Sequence, residues 1–152
     1  MAGQSKPAEI LLIEYNPGDV ELIQEAFQTG KVLNHISLAM DGEEAVAFLY
    51  RRSGYETAPH PDLILLDLNI PKKDGFEVLK EIKDNLGLSR VPVIILTSSQ
   101  DDRDIVKSYD LHANCFVSKP VDVDEFLAVV RSTGKFWLTL VRLPESLNKS
   151  SY

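Results

Sequence analysis

The segment Asp62-Leu-Ile-Leu-Leu-Asp67-Leu-Asn-Ile-Pro71 carries the pattern that decides the fold. Four consecutive apolar residues stand between two acids, and turn-forming residues bound the run on both sides. A run this short favours a buried strand over a helix. Pro71 and Asp74 then break the chain, and an apolar face returns at helical spacing. The positions of that face, in a predicted third helix, are Phe76, Leu79, Ile82 and Leu86.

The same alternation of strand and helix extends in both directions from this segment. We predict further strands at Glu9–Ile13, His35–Met40, Pro92–Thr97 and Asn114–Ser118. Further helices are predicted from Asn16-Pro17 to Gln28, from Glu43 to Arg52, from Asp101 to Tyr109 and after Asp122. In the helix from Asp101, we expect Ile105 and Val106 to face the core. The pattern implies an α/β fold, a doubly wound parallel sheet of five strands with helices on both faces.

Composition limits the functional classes. The chain has 152 residues, which suits one domain, and an apolar share of 44%, which is typical of a globular protein. Its net charge of −7 argues against nucleic-acid binding, because that binding depends on clustered Lys and Arg. The lone Cys115 cannot form an internal disulfide, and His35, His60 and His112 lack metal-ligand spacing. No leader or membrane-spanning run is evident, so we expect a cytoplasmic protein.

Polar residues stand at the carboxyl ends of the predicted strands, where open sheets of this kind bind ligands. Glu14 and Tyr15 follow the first strand, Asp67 ends the third, Thr97 ends the fourth and Lys119 follows the fifth. Each residue taken alone has an ordinary explanation, such as a turn cap or a solvated side chain. Their joint occurrence on one edge indicates a site.

This set of residues suits the formation of an acyl phosphate. A carboxylate such as Asp67 can attack phosphorus. The reaction needs a hard divalent cation, and Mg²⁺ prefers carboxylates, carbonyls and waters as ligands. Lys119 offers a positive charge and Thr97 a hydroxyl, both able to contact phosphoryl oxygens. Phosphoryl transfer depends mostly on positioning and charge neutralisation of this kind.

Three motifs in this order resemble the response-regulator receiver domain: Asp67-Leu-Asn-Ile-Pro-Lys-Lys-Asp-Gly75, Leu96-Thr-Ser98 and Ser118-Lys-Pro120. The resemblance runs from about Glu9 to Val130. It implies a flavodoxin-like (βα)5 receiver fold and a switch by phosphorylation rather than an enzyme.

The resemblance also assigns roles to residues. It implies Asp67 as phospho-acceptor, Thr97 as switch hydroxyl and Lys119 as the phosphate-contacting amine. It implies Mg²⁺ as the metal, bound by Glu14, Asp67 and the backbone carbonyl of Asn69. Phe116 falls at the family's rotating aromatic, although a core strand phenylalanine would look the same.

The C-terminal part of the chain narrows the resemblance to one subfamily. Phe136-Trp137-Leu138, Val141-Arg-Leu-Pro144 and the earlier Leu111-His-Ala-Asn-Cys115 resemble the cyanobacterial phytochrome-associated response regulators. That resemblance implies a phytochrome-type sensor histidine kinase as partner, and a homodimer built on the last helix, the fifth strand and the C-terminal extension. Alternatively, Phe136 and Trp137 fold back on their own domain.

We divide the chain into a lead-in (1–8), a receiver domain (9–133) and a C-terminal extension (134–152). No room for a DNA-binding or enzymatic output domain remains after Pro144, so we expect output by protein–protein contact. The expected function is a single-domain two-component response regulator that accepts a phosphoryl group on Asp67.

One position departs from the family pattern. Tyr15 stands where the family usually has a second acid, and a phenol is neutral at pH 7 and a poor Mg²⁺ ligand. We therefore expect weakened Mg²⁺ affinity, since the nearest spare acid, Asp19, is assigned to the helix N-terminus. One alternative is a degenerate receiver acting as a constitutive binding module. Another is a haloacid-dehalogenase-like phosphatase, which wants an acid where this chain has Asn69.

Overall fold

The computed structural model describes residues 7–30 and 32–140. Five parallel strands form one sheet in the order β2-β1-β3-β4-β5. The strands are β1 (Ala8–Ile13), β2 (Asn34–Ala39), β3 (Leu63–Leu66), β4 (Val93–Thr97) and β5 (Cys115–Ser118). The helices are α1 (Pro17–Gln28), α2 (Gly42–Leu49), α3 (Gly75–Asp84), α4 (Asp102–Asp110) and α5 (Val123–Lys135), followed by a π-helical turn (Phe136–Leu140). The predicted doubly wound, flavodoxin-like architecture is confirmed.

Short polar side chains begin every α-helix. Asn16, Asp41, Asp74, Asp101 and Asp122 each have extended backbone and accept a hydrogen bond from a backbone N–H in the first turn of the helix that follows. Such caps satisfy donors that have no partner within the helix. The first turn of each of these five helices is therefore stabilised next to the loop that leaves the preceding strand.

The sheet is buried between two apolar layers. Alternate strand residues such as Leu12 and Leu65 pack with Val20, Ile23 and Phe126, on the side of α1 and α5. Their neighbours along the strands pack on the side of α2 and α3. The residues that show this second layer most clearly are Ile13, Leu66, Ile95, Phe48, Val78 and Leu79. Burial on both faces explains why β1, β3 and β4 are almost continuously apolar.

Gly75 allows α3 to begin directly against the loop that follows β3. A Cβ on Gly75 would lie 2.5 Å from Leu68 Cα and 2.7 Å from the backbone oxygen of Asp67. Both neighbours are backbone atoms and cannot rotate away. The Asp-Gly pair at Asp74 and Gly75 therefore serves two purposes, since the first residue caps the helix and the second lets it approach the strand end.

Some local predictions are wrong. Leu86 does not belong to the apolar face of α3: the helix ends at Asp84, Asn85 has extended backbone, and Leu86 is 93% exposed. Leu88 packs into the core in its place. Val106 on α4 is 59% exposed rather than facing the core.

Several element ends also differ from the sequence prediction, most of them by one residue. The second helix ends at Leu49, short of the predicted Arg52, because Arg51 adopts a positive φ of 55° that a helix cannot continue through. β2 begins and ends one residue earlier than predicted, so Met40 follows the strand instead of ending it. These shifts leave the strand order and the strand ends around β1, β3, β4 and β5 unchanged.

Within residues 7–30 and 32–140 there is no helix with the length and apolarity needed to cross a membrane. The lead-in through Lys6 and the segment from Val141 onward, which includes the Val141–Pro144 motif, lie outside the described residues.

Candidate functional site

The polar residues predicted to converge do converge on the carboxyl edge of the sheet. Ile13 of β1 is paired with Leu66 of β3, so Glu14 and Asp67 leave neighbouring strands side by side. Thr97 ends β4, and Lys119 follows β5 directly after Ser118, the partner of Thr97 in the sheet. Strand order reverses at β1 and β3, which is where open α/β sheets place their ligands. All four polar side chains are buried.

The amine of Lys119 is the centre of the site. Its Nζ donates to Glu14 Oε2 at 2.5 Å, to Asp67 Oδ2 at 2.6 Å and to Asp19 Oδ2 at 2.8 Å. An ammonium has three N–H groups, so these bonds use all of its donors. One positive charge faces three carboxylates, and the site is therefore a strong attractor for a further cation.

Asp67 is held through both of its carboxylate oxygens. Oδ2 accepts from Lys119, while Oδ1 accepts from the Thr97 hydroxyl and from the Asn69 backbone N–H, each at 2.9 Å. No buried side-chain nitrogen or oxygen in the described part of the chain lacks a hydrogen-bond partner. The carboxylate is thus fixed in position between an amine and a hydroxyl, at the end of β3, which lies between β1 and β4 in the sheet.

Burial and charge perturb the two groups that share the site with Asp67. Desolvation, together with repulsion from Asp67, raises the pKa of Glu14 from 4.5 to about 7, against the opposing effect of Lys119. Burial disfavours the charge on Lys119, but its bonds to Asp19, Asp67 and Glu14 outweigh that cost, and its pKa is raised. Lys119 is therefore charged at neutral pH, whereas keeping the carboxylates around it charged costs free energy.

Asp19 was not predicted as a member of the site. It stands in the first turn of α1, as the sequence indicates, but its carboxylate reaches Lys119 across 100 residues of chain. Asn16 caps the Asp19 backbone N–H at 3.1 Å, so the Asp19 side chain is not needed for capping. The available signal was an acid two residues into a helix that begins at the ligand-binding edge. Sequence alone cannot say toward which neighbour such an acid turns.

Tyr15 and Phe116 occupy less central positions. Tyr15 is 56% exposed and makes none of the bonds that hold Lys119. Phe116 is partly buried against the apolar layer of α2 and α3, and its backbone N–H donates to the Tyr109 hydroxyl. In this structure Phe116 therefore packs as a core strand residue. Cys115 is half-buried, and burial raises the pKa of its thiol.

The donor chemistry fits a hard divalent cation. Carboxylates of Glu14 and Asp67 and the carbonyl of the exposed Asn69 are oxygen ligands of the kind that Mg²⁺ takes. Across residues 7–30 and 32–140, no three His, Cys, Asp or Glu side chains already stand in a metal-binding arrangement. The Lys119 amine lies among the carboxylates instead. A cation that binds Glu14 and Asp67 therefore competes with Lys119 for their carboxylate oxygens.

Comparison with known proteins identifies the family. The model of the response regulator receiver domain matches residues 10–131, which run from within β1 through β5 and into α5. The chain belongs to the response regulator receiver family. Response regulator Rcp1 of Synechocystis sp. is 43% identical over 145 residues, covering 95% of this chain and 99% of the relative.

Solved receiver structures agree with this assignment. The phosphorylated cyanobacterial phytochrome response regulator RcpA superposes with a TM-score of 0.89 at 44% identity, over 91% of this chain and 99% of that one. The Mn²⁺-bound form of Rcp1 gives a TM-score of 0.88 at 44% identity, with the same coverage. The bacteriophytochrome response regulator AtBRR gives 0.71 at 39% identity, over 91% and 100%. The chain is thus a receiver-domain response regulator related to phytochrome response regulators.

Proposed function

We propose that this receiver accepts a phosphoryl group on Asp67 from a partner histidine kinase and signals through protein–protein contact. The observation that carries the proposal is the arrangement around Asp67, whose two oxygens are held separately by Lys119 and Thr97. When a phosphoryl group is transferred to this buried carboxylate, an amine and a hydroxyl already lie close enough to contact its three oxygens. These would take over the partners that Asp67 now holds.

The chemical step needs little beyond positioning. An Asp67 oxygen forms a bond to phosphorus as the bond between phosphorus and the donor histidine nitrogen breaks, and the electron pair leaves with the imidazole. Lys119 then has a phosphoryl oxygen as acceptor, and so has the Thr97 hydroxyl. The phosphoryl group is negatively charged throughout the transfer. The Lys119 ammonium offsets this charge, and the Thr97 hydroxyl donates a hydrogen bond to a phosphoryl oxygen.

We propose Glu14, Asp67 and the Asn69 carbonyl as the residues that would hold Mg²⁺ in this chain. When bound, the cation supplies positive charge that gathers phosphoryl oxygens and offsets the repulsion between Asp67 and an anionic donor. Support comes from the oxygen donors on this edge and from the Mn²⁺-bound form of the relative Rcp1. Tyr15 contributes no charge, so we expect the affinity to be lower than with an acid at that position.

A phytochrome-type kinase is the partner we propose. The support is that several of the similar chains are themselves named as phytochrome or bacteriophytochrome response regulators. The acidic character of this receiver, with a net charge of −7, would suit a kinase surface that is positive around its phosphohistidine.

We also propose a homodimer that uses the end of α5 and the residues beyond it. Phe136 is 49% exposed, directly after the end of α5. Trp137 instead packs against the α1 and α5 side of the core, with its ring edge-on to that of Phe136 at 5.7 Å. Trp137 thus packs on its own domain, and the exposed Phe136 is the aromatic that we propose for the interface.

Labelling with a small phosphoryl donor tests the function. We expect acetyl phosphate with Mg²⁺ to give hydroxylamine-sensitive label on the wild type and none on Asp67→Asn. Asp110→Asn, which removes an exposed acid from the end of α4, is the matched control and should label like the wild type. Equal labelling of wild type and Asp67→Asn would remove Asp67 as acceptor, and absence of any label with Mg²⁺ would reject phosphorylation.

A further inference from the structure

Asp19 differs from the other two acids that bind Lys119. The side chains of Glu14 and Asp67 are 2% and 7% exposed, whereas that of Asp19 is 27% exposed and lies at the mouth of the site. Asp19 follows neither β1 nor β3 directly but belongs to the first turn of α1. It is also absent from the set of oxygens proposed above for Mg²⁺. Its contact with Lys119 therefore has no role in the function as described so far.

A bound cation changes the surroundings of Lys119. The oxygens that Lys119 contacts on Glu14 and Asp67 belong to the same carboxylates that a divalent ion needs. An ammonium and a metal ion repel each other, so Lys119 must loosen at least part of these bonds. A buried ammonium that lost its acceptors would carry a large free-energy penalty. Asp19 is the acid among its three partners that the cation does not require.

We propose that Asp19 is a positioning residue that keeps the Lys119 amine at the site while a divalent cation occupies Glu14 and Asp67. The inference rests on the proposed function, and it adds a residue to the transfer reaction. With Asp19 as anchor, Lys119 stays within reach of Asp67 Oδ2, where the phosphoryl oxygens arrive. Without it, the amine has only the carboxylates for which the cation competes.

The local structure suits an anchor. Asn16 satisfies the Asp19 backbone N–H, which leaves the whole Asp19 carboxylate available to Lys119. Asp19 is fixed to a helix whose apolar face, including Val20 and Ile23, is buried in the core. The backbone N–H of Lys119 donates to the backbone carbonyl oxygen of Thr97 at 2.7 Å, which holds Lys119 against the end of β4. Two rigid elements thus set the distance between the carboxylate and the amine.

The first test observes the amine without any phosphoryl donor. Nitrogen-detected NMR of the Lys119 ammonium, assigned by its loss in Lys119→Met, reports how fast its protons exchange with water. With saturating Mg²⁺ we expect the wild-type amine to stay protected, and the amine of Asp19→Asn to exchange several-fold faster. Asp19→Glu, which restores a carboxylate, should recover part of the protection. Glu21→Gln removes an exposed acid from the same helix and should leave the amine unchanged.

The second test asks whether Asp19 acts through Lys119. At saturating Mg²⁺ and acetyl phosphate, we expect Asp19→Asn to slow labelling of Asp67 several-fold in the wild type. The same substitution should have no effect in the Lys119→Met background, because a positioning residue has nothing left to position. Circular dichroism on all variants excludes loss of folding. If Lys119→Met does not fold, Lys119→Arg, which keeps the positive charge but lacks the ammonium, serves for the assignment, and the exchange rates of wild type, Asp19→Asn and Asp19→Glu decide by themselves.

Two results would overturn the inference. One is an amine as well protected in Asp19→Asn with Mg²⁺ as in the wild type. The other is equal slowing by Asp19→Asn with and without Lys119, which would mean that Asp19 acts directly on the cation or donor. If Mg²⁺ changes neither the chemical shift nor the exchange rate of the amine in the wild type or in Asp19→Asn, the metal site and the inference both fail. If Asp67 is never labelled but the amine depends on Asp19 as expected, only the proposed phosphorylation fails.

Discussion

Lys119 Nζ donates a 2.6 Å hydrogen bond to Asp67 Oδ2, although 52 residues separate the two in the chain. Side-chain exposures of 6% and 7% place this ion pair in a region with little water. A buried pair of this kind stabilises the fold only when its remaining donors and acceptors are satisfied. Here they are, through Thr97, Asn69, Glu14 and Asp19. The residues proposed for phosphoryl transfer are therefore also part of a structural network.

Thr97→Val should separate the contribution of the Thr97 hydroxyl to stability from its contribution to phosphoryl transfer. Valine matches threonine in shape but cannot donate to Asp67 Oδ1, which would keep the Asn69 N–H as its remaining donor. We expect a loss of about 1 kcal/mol in the free energy of unfolding, the usual net value of one such bond. Labelling by acetyl phosphate should slow but persist, because Asp67 and Lys119 remain. Urea titration and labelling measure both effects.

Thr97→Ser is the matched variant, since it keeps the hydroxyl and removes only a methyl group. It should label at nearly the wild-type rate. A Thr97→Val protein that labels as fast as Thr97→Ser would show that the hydroxyl does not take part in the transfer.

Gly75→Ala should destabilise the protein by about 2 kcal/mol or more, as overpacking against fixed atoms does. The added methyl would lie 2.5 Å from Leu68 Cα and 2.7 Å from the Asp67 backbone oxygen. Either α3 or the strand end must move. In Gly87→Ala, the control, the nearest atom is the Asn85 side-chain oxygen at 3.3 Å, a contact that a shift of a few tenths of an ångström relieves. Equal midpoints in urea for the two variants would contradict the close approach.

The pKa of Glu14 predicts how stability depends on pH in the absence of divalent cations. Because burial and Asp67 raise that pKa from 4.5 to about 7, the folded protein binds this proton more tightly than the unfolded chain. The resulting stabilisation is fully present below pH 4.5 and is lost as pH rises through about 7. Its size is on the order of a few kcal/mol, since one pKa unit corresponds to about 1.4 kcal/mol.

Comparison of wild type with Glu14→Gln isolates this contribution, since glutamine does not titrate. The difference between their unfolding free energies should change between pH 5 and 8, about the window given by the pKa values of 4.5 and about 7, with the wild type losing stability relative to the variant. A difference that stays constant over this range would show that Glu14 titrates normally.

Phe136→Ala should weaken the proposed homodimer without unfolding the protomer. Phe136 is 49% exposed, so its loss removes little from the domain core, whereas a large exposed aromatic is a favoured interface anchor. Trp137→Ala is the contrasting variant, because Trp137 packs against the α1 and α5 side of the core and should lower protomer stability. Sedimentation velocity, with thermal unfolding alongside, measures both. A wild-type monomer at tens of micromolar, or a dimer indifferent to Phe136→Ala, would reject the interface.

The strand ends were predictable from sequence because local signals and fold rules agree there. Four apolar residues before Asp67 indicate a buried strand, and parallel strands place all their carboxyl ends on one edge. That is enough to bring Asp67, Thr97 and Lys119 together. The order of the strands was implied only by the resemblance to the receiver fold, because the connection rules for such sheets leave several orders open. Which oxygen of Asp67 each partner holds does not follow, because it depends on side-chain rotamers.

The remaining errors have a common physical origin. Leu86 fits the helical period of α3, but Asn85 ends the helix and Leu88 fills the core, a tertiary outcome that periodicity cannot register. Asp19 is an acid in the first turn of α1, as the sequence indicates, and its carboxylate also accepts a hydrogen bond from Lys119. The second contact depends on how closely α1 approaches the residue after β5, which only the three-dimensional structure shows. The orientation of Tyr15 was likewise not predictable, and its side chain is 56% exposed.

The exposure of Tyr15 sharpens the prediction for the metal. Tyr15→Asp should raise Mg²⁺ affinity, because it adds a negative charge next to Glu14 without displacing a buried side chain. A unit pair at ~4 Å in an effective dielectric of ~20 interacts by ~4 kcal/mol. Ion desolvation and repulsion from Asp67 cancel part of this. The net gain should be roughly one or two kcal/mol, about ten-fold in affinity or somewhat more.

Calorimetric titration with Mg²⁺ measures the effect, and Tyr15→Asn is the matched control, since it has the shape of the aspartate without its charge. If charge is the cause, Tyr15→Asn should bind Mg²⁺ much like the wild type, and only Tyr15→Asp should gain. A similar gain in both variants would mean that the tyrosine ring obstructs the site. If the wild type already binds as tightly as Tyr15→Asp, the tyrosine does not impair the site. A degenerate, constitutively acting receiver would then lose its main support, since the expected weakness at Tyr15 is its basis.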